Sequence, residues 1–251
     1  MSLFKKLFGK PNPTPENQSF EVPEGFNMEE KPAWSEFDEL FHQHVGLSFE
    51  KQLNLSDLIQ SHGWQLDMGS GTILFGSDIS IPIQVIGTFS FNDSSWMWGW
   101  ANEKSGIPPN LLQDTLKMKE IGEQKGLSEF TEGHYAAAEG FEHKIGMVAS
   151  GLMRAKAYYC ANYGQGTLVA TLSGDAIKAI DQNQPEKVVT TFPQLISAME
   201  ISHRPAFHNY LIDRGYQVKH TESTLEGYRQ GKTITGTFDE AGRLTDLSGK
   251  L

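Results

Sequence analysis

The sequence predicts an α+β protein in which helices pack on one face of an antiparallel sheet with meander topology. Three observations predict this class. Several segments carry apolar residues at helical spacing, whereas the hydrophobic period changes to two between Trp64 and Asn102. Short turns rich in glycine and asparagine separate the strand-like runs, which is typical of antiparallel hairpins. Helices confined to one face of the sheet would explain why the strands alternate.

The composition limits the kind of protein this can be. The chain has 251 residues, of which 38% are hydrophobic, and it contains 25 glycines. This is the composition of a globular protein, and it excludes a disordered or collagen-like chain. The length is sufficient for one large domain or two small ones, at about 100–200 residues per domain.

The sequence also limits the compartment and the partners. No stretch approaches the roughly 20 apolar residues of a membrane span, and the N-terminus lacks a signal-peptide pattern, so we expect a cytoplasmic protein. Cys160 is the single cysteine, which excludes an internal disulfide and a cysteine-based zinc cluster. The formal net charge of -10 argues against nucleic acid as a partner. We expect no cofactor.

Residues 1–33 are predicted to be a basic N-terminal segment followed by a proline-rich linker. Residues 1–10 form a basic amphipathic stretch without an acidic residue, and Pro11 would end a helix there. This stretch could contact an anionic membrane surface or a groove of a partner, or it could be an ordinary terminus. The candidate contact residues are Leu3, Phe4, Lys5, Lys6, Leu7 and Phe8.

Residues 34–180 are predicted to form an α+β domain that begins with a helix capped by Ser35. Apolar residues follow the cap at intervals of three and four, which is typical of a helix that faces a core. A second helix could begin at Asn54 or Ser56 and extend to Ile59. The stripe of the first helix comprises Phe37, Leu40, Phe41, Val45 and Phe49.

The strands of this domain follow the helices. Two apolar runs that flank the turn Gly69–Gly71 predict a hairpin. Residues 81–91 are rich in β-branched and aromatic side chains, which favours a long strand. After turn-forming residues at 92–95, the next strand covers residues 96–100.

More helices are predicted on both sides of a second hairpin. Pro108 opens a helix that ends near Gly126, and a long helix covers about 133–156, where three consecutive alanines favour it. Strand-like residues then flank the glycine turn 164–166.

Residues 181–251 are predicted to hold the C-terminal helices and a hairpin. Helical patterns cover 185–200 and 205–214, and strand-like residues extend from Gln217 to Leu244. We expect this part to pack on the same domain as the preceding residues.

The two glycine turns are similar to one another. Residues Gly69–Thr72 parallel Gly164–Thr167, and each set follows a helical stretch. A degenerate duplication of a helix-then-sheet unit would explain this similarity. Two unrelated hairpins with the same turn chemistry would explain it too.

Trp96, Trp98 and Trp100 are the most unusual local feature of the sequence. In a strand, alternation projects all three rings onto the same face of the sheet. Each large aromatic side chain removes about 150–250 Å² from water, so something must cover the rings. The cover could be a helix of this chain, or the rings could bind a ligand such as a sugar, a base or a peptide side chain.

The tryptophan strand also carries a resemblance. Residues Trp96–Asn102 are followed by Pro108, which opens a helix, and by the stretch Leu127–Thr131. This pattern resembles an uncharacterised bacterial domain family, marked by a tryptophan-alternating strand that ends in Ala-Asn and by a following helix. The resemblance is best over residues 60–175. It supports the fold and implies no activity, cofactor or catalytic residue.

Candidate catalytic residues lie on the predicted long helix. Glu139 and His143 are four residues apart and would share a helix face, with Glu142 adjacent. They could act as acid and base, or they could form an exposed ion pair. A metal would need further ligands and no HExxH signature is present, so we predict no metal site. Cys160 could be a small buried hydrophobic residue or a reactive thiol.

The function remains open between different classes. A non-enzymatic protein-binding or adaptor protein, with an immunity-like role as one version, is favoured because no convergent catalytic set is visible. The acidic chain suits a basic partner protein. The alternative is a small-molecule enzyme with a pocket beside the tryptophan strand, in which Glu139, Glu142 or His143 act as acid and base. A third hypothesis is peripheral membrane attachment through residues 1–10.

Overall fold

A computed structural model describes residues 20–250 of the chain and confirms the α+β class. The elements up to residue 172 are α1 (Phe37–Ile59), β1 (Trp64–Asp67), β2 (Thr72–Phe75), β3 (Ile79–Ser90), β4 (Ser95–Trp98), α2 (Gln113–Lys125), α3 (Ser128–Thr131), β5 (His134–Ala136), α4 (Phe141–Leu152), β6 (Ala157–Asn162) and β7 (Gly166–Leu172). The later elements are α5 (Glu186–Ala198), α6 (His203–Asp213), β8 (Gln217–His220), β9 (Thr224–Arg229), β10 (Lys232–Phe238) and β11 (Leu244–Lys250).

The strands form two antiparallel sheets. The first has seven strands, and β1 to β5 pair in sequence order as the predicted meander. Strand β3 is its centre, because it pairs with β2, β4 and β7, and β7 pairs with β6. The second sheet has four strands in the order β11-β10-β9-β8. Both glycine-turn hairpins pair with β3, the first through β2 and the second through β7. The duplication of a helix-then-sheet unit stays a hypothesis.

The helices connect these sheets. α2 and α4 pack on the seven-stranded sheet, whereas α5 and α6 contact the four-stranded sheet. α1 packs against both α4 and α6, so it lies between the two groups. Within residues 20–250, no helix combines the length and the apolarity that crossing a bilayer requires.

The first helix is longer than the sequence predicts. α1 is continuous to Ile59, so the prediction of a second helix starting at Asn54 or Ser56 is wrong. Leu55 and Ile59 are both buried, and they extend the apolar stripe of the same helix. This burial outweighs the capping preference of the two polar residues, which is worth only about 1 kcal/mol.

The long helix predicted over 133–156 is also wrong. Residues His134–Ala136 form β5, which pairs with β4 and places Tyr135 opposite Trp96. Gly140 then adopts a positive φ of 86°, and α4 begins only at Phe141. Pairing at the edge of the sheet therefore overrides the helix preference of the alanines, because ladder hydrogen bonds and a cross-strand aromatic pair are gained.

The tryptophan strand ends earlier than predicted. β4 stops at Trp98, and residues Gly99–Ala101 form a 3₁₀ turn that contains Trp100. A Cβ at Gly99 would lie 3.2 Å from the carbonyl oxygens of Val85 and Ile86, so the chain bends where it passes close to β3.

A buried ion pair joins α1 to the C-terminal helices. Arg214 has no exposed surface, and its Nη1 lies 3.1 Å from Oε1 of Glu50 in α1. The hydroxyl of Tyr210 donates a hydrogen bond of 2.6 Å to the other oxygen of Glu50. The guanidinium also donates to the carbonyl oxygens of Asp181 and Gln184. One network thus fixes α1, α6 and the turn before α5.

We expect Glu50→Gln to lower the free energy of unfolding by about 3–5 kcal/mol, because it leaves the Arg214 guanidinium buried without its counter-charge. The double variant Glu50→Leu, Arg214→Met should lose less than Glu50→Gln alone. Urea unfolding followed by circular dichroism measures both. The solvent-screened pair Arg243–Asp239 is the control, and Arg243→Gln should cost much less than Glu50→Gln. Equal losses for Glu50→Gln and Arg243→Gln would contradict this account.

Candidate functional site

The structure places two of the three tryptophans in the core. Trp96 and Trp98 have no exposed surface, and their rings meet edge to face with centroids 5.5 Å apart. Phe130 of α3 and Phe141 of α4 pack against them, and Trp98 Nε1 donates to a backbone carbonyl at 2.8 Å. Helices of this chain therefore cover these two rings, which in this conformation leaves no face on which a ligand could stack.

Trp100 is the exception among the three candidate ligand-binding residues. It lies on the 3₁₀ turn rather than on the strand, and its ring is half-buried. The ammonium group of Lys119 lies 4.2 Å from the centre of the ring, a cation–π contact. The prediction that all three rings share one sheet face is wrong for Trp100, because the strand ends two residues before it.

A large cleft lies between α1, the start of α4 and residues 198–202, and we call it the α1–α4 cleft. Its volume is about 1000 Å³. Two of the candidate catalytic residues, Glu139 and His143, line it, as does Cys160. Its walls are apolar over much of their area, through Phe41, Phe49, Leu55, Met147, Met199 and Ile201.

The predicted helical pair of Glu139 and His143 does not form. Glu139 precedes α4, so the two residues are not one helical turn apart, and both side chains are exposed. Glu142 is buried instead, and its Oε2 has no hydrogen-bond partner among residues 20–250. The structure therefore does not bring the three candidates together as an acid–base set.

His143 instead contacts residues of β6. Its Nδ1 lies 3.2 Å from the hydroxyl of Tyr158 and 3.7 Å from the sulfur of Cys160. Burial, together with the nearby charge of Glu142, raises the pKa of the Cys160 thiol well above its usual range. Burial likewise raises the pKa of Tyr158. A protonated thiol is a weak nucleophile, so this cluster is not an activated cysteine site.

Three carboxylates and one lysine line the α1–α4 cleft, so its rim is acidic. Asp38, Glu139 and Glu200 are exposed at the rim, whereas Lys144 lies 5.3 Å from the ring centre of Phe41. Burial lowers the pKa of His42, whose Nε2 accepts a hydrogen bond of 2.9 Å from the Ser202 amide. The cleft can therefore hold a ligand that has an apolar side and positive charge.

A second cavity, which we call the basic recess, lies on the neighbouring face of α1. Its volume is about 510 Å³, and five basic residues line it together with a single carboxylate, that of Asp213. The basic residues are Lys31, Lys51, Arg154, Lys156 and Lys178. Sequence reasoning missed this site because its members come from four separate segments and no spacing motif connects them.

Among residues 20–250, one cluster has donor atoms that could hold a metal ion. Glu29, His208 and His220 each offer a donor, and these atoms lie within 4.8 Å of one another. The Nε2 atoms of His208 and His220 lie 2.7 and 3.2 Å from the Glu29 carboxylate. The three come from the segment before α1, from α6 and from β8, so sequence spacing could not reveal them.

The N-terminal candidates Leu3, Phe4, Lys5, Lys6, Leu7 and Phe8 lie outside the described residues. Their contact with a membrane or a partner stays a prediction.

We expect Cys160 to react slowly with thiol reagents in the folded protein, because its raised pKa leaves almost no thiolate at neutral pH. Since the chain has one cysteine, labelling with a disulfide reagent at pH 8 reports on this residue alone. The rate should be at least about 100-fold lower in buffer than in urea. Rates within a factor of about ten would show an accessible thiolate.

Comparison with known proteins gives one match. A sequence model of a family described as "Family of unknown function (DUF6882)" matches residues 38–175, more than half of the chain. The match spans α1 to β7 and includes the tryptophan strand and most of the α1–α4 cleft. No curated protein sequence matches the chain, and no solved structure does.

Proposed function

The chain belongs to this family of unknown function, and we propose that it is a non-enzymatic, cytoplasmic binding protein whose α1–α4 cleft holds a basic segment of a partner protein. The observation that carries the proposal is the combination of apolar walls with an acidic rim. An immunity-like protein that covers a basic surface of its target is one form of this function.

The shape of the cleft supports binding of a segment with an apolar side. Phe41, Phe49 and Leu55 lie on α1, and Met147 lies on α4, so two helices supply much of the apolar wall. Methionine side chains adapt to ligands of different shape, and Met147 and Met199 both line the cleft. A segment that inserts an apolar face between two helices is a common mode of peptide recognition.

The charge of the rim supports a basic partner. Asp38, Glu139 and Glu200 surround the opening, and the chain as a whole has a net charge of -10. Complementary charge raises the rate of association and selects against acidic competitors, although it adds less to the affinity itself.

The enzyme hypothesis has one observation in its favour. His143, Tyr158 and Cys160 contact one another at the wall of the same cleft. Catalysis would need an activated nucleophile or a base whose orientation a second group fixes. The raised pKa values of Tyr158 and Cys160 keep both groups protonated, which favours binding over chemistry.

A model peptide tests the proposal directly. An amphipathic helical peptide of leucine and lysine should perturb amide NMR signals of residues that line the cleft, and a scrambled peptide of the same composition should bind at least about tenfold more weakly. The double variant Glu139→Lys, Glu200→Lys should weaken binding of the amphipathic peptide at least about tenfold at low salt.

The control for this variant carries the same change of charge elsewhere. Glu103 and Glu222 are exposed and lie outside the cleft, so Glu103→Lys, Glu222→Lys should leave the affinity within about twofold. Equal weakening by both double variants would mean a general effect of net charge. That result, or signal changes outside the cleft, would overturn the proposal.

A further inference from the structure

The basic recess is unusual because its positive charge is compensated only in part. Lys31 is paired, since its Nζ lies 2.7 Å from a carboxylate oxygen of Asp213. Among residues 20–250, no ion pair joins Lys51, Arg154, Lys156 or Lys178 to a carboxylate. The chain has 31 acidic and 21 basic residues, so carboxylates are abundant, yet the five basic residues of this cavity have a single lining carboxylate, that of Asp213.

The recess also carries two features that cost stability. Burial, assisted by the charges of Lys31 and Lys156 and opposed by that of Asp213, lowers the pKa of Lys51 to about 8. The ammonium of Lys51 has one hydrogen bond, to the carbonyl oxygen of Ser150 at 3.2 Å. Arg154 has a positive φ of 54°, a backbone conformation that residues other than glycine rarely adopt. Crowded like charges and a strained backbone are typical of sites that a ligand completes.

We propose that the basic recess binds a small phosphorylated molecule, whose phosphate oxygens replace the missing carboxylates. Lys51 and Lys156 would act as point charges on the phosphate, whereas the exposed Arg154 can offer two parallel N–H donors to it. The volume of about 510 Å³ suits a small metabolite better than a protein surface. This site is separate from the proposed peptide cleft, although both lie on α1.

Calorimetry with inorganic pyrophosphate tests the site. We expect one molecule to bind per chain with a Kd below about 1 mM in low-salt buffer. Arg154→Met and Lys156→Met should each weaken binding at least about tenfold. The matched control is Lys117→Met, because Lys117 is an exposed lysine of α2 that lies outside the recess. Weakening of the same size in the control would reveal a general charge effect and overturn the proposal.

Lys51→Met separates a binding role from a structural one. If Lys51 serves only the fold, its replacement should lower the melting temperature. If Lys51 serves to bind a ligand, its replacement should raise the melting temperature of the free protein, because an unpaired charge is removed. Pyrophosphate binding should then be lost as well. A lower melting temperature with unchanged binding would contradict the proposal.

A competition experiment identifies the source of the phosphate. O-Phosphoserine represents a small molecule, and a phosphoserine hexapeptide represents a modified protein. The proposal expects the amino acid to displace pyrophosphate at least as well as the peptide does. Displacement by the peptide alone would show that the recess binds a phosphorylated protein segment, and the small-molecule assignment would then be wrong.

A different observation carries a second inference, at the cluster formed by Glu29, His208 and His220. The two imidazole rings are 4.8 Å apart at their centres, and both direct Nε2 toward the same carboxylate. His220 and Glu29 are partly exposed, so a water molecule can reach the site.

We propose that these three residues bind a zinc ion. Two imidazole nitrogens and a carboxylate oxygen are typical zinc ligands, and water would complete a tetrahedral site. When the ion binds, each Nε2 becomes a ligand atom and the ring proton resides on Nδ1, so the hydrogen bonds to Glu29 are replaced by bonds to the metal. The ion would tie the segment before α1 to α6 and β8.

Titration with cobalt chloride alone tests this site, because tetrahedral Co²⁺ absorbs visible light strongly. One equivalent should produce the absorption, zinc should remove it, and His208→Ala should abolish it. His134→Ala is the control, since His134 is an exposed histidine outside the cluster. Zinc should also raise the melting temperature of the parent chain and not that of His208→Ala. An unchanged spectrum in His208→Ala, or no absorption in the parent chain, would overturn the assignment.

Discussion

The buried pair between Glu50 and Arg214 is the constraint on which the arrangement of the molecule depends. A guanidinium without exposed surface is costly unless acceptors surround it, and here Glu50 and two backbone carbonyls accept hydrogen bonds from Nη1 and Nη2, while Nε has no partner among residues 20–250. These acceptors come from α1 and from the turn before α5, whereas Arg214 follows α6. The network therefore allows one placement of the C-terminal helices relative to α1.

Glycines, which lack a side chain, allow the neighbouring helices to pack closely against α1 in this arrangement. A Cβ at Gly46 would lie 2.5 Å from the Cβ of Tyr210, so α1 and α6 approach more closely there than an alanine would permit. On α4, a Cβ at Gly151 would lie 2.2 Å from the ring of His44. α1 thus has a close neighbour on two sides, and the spaces left beside these contacts are the α1–α4 cleft and the basic recess. One helix presents Phe41 and Phe49 to the first and His44 and Lys51 to the second.

The sequence pattern predicted most strands because alternation and turn residues, which favour strands, are properties of short segments. The period of two and the glycine turns predict the meander, and the turn chemistry at Gly69–Gly71 and Gly164–Gly166 predicts two hairpins that form. The alanines at 136–138 misled the prediction, since edge pairing with Ser95 and Trp96 supplies hydrogen bonds that a propensity does not include. Trp100 lies outside the strand because the close approach of Gly99 to β3 ends the extended conformation two residues earlier.

The sequence by itself determined the α+β class, the presence of the tryptophan strand and the acidic character of the chain, because periodicity, turn residues and charge are properties of neighbouring positions. Only the tertiary structure decided which side chains meet. The basic recess draws on Lys31, Lys51, Lys178 and the stretch 154–156, and the histidine cluster draws on residues almost 200 positions apart. Such sites form because the fold brings together segments that are distant in the sequence. Their charges interact strongly only at the short distances that result from this packing.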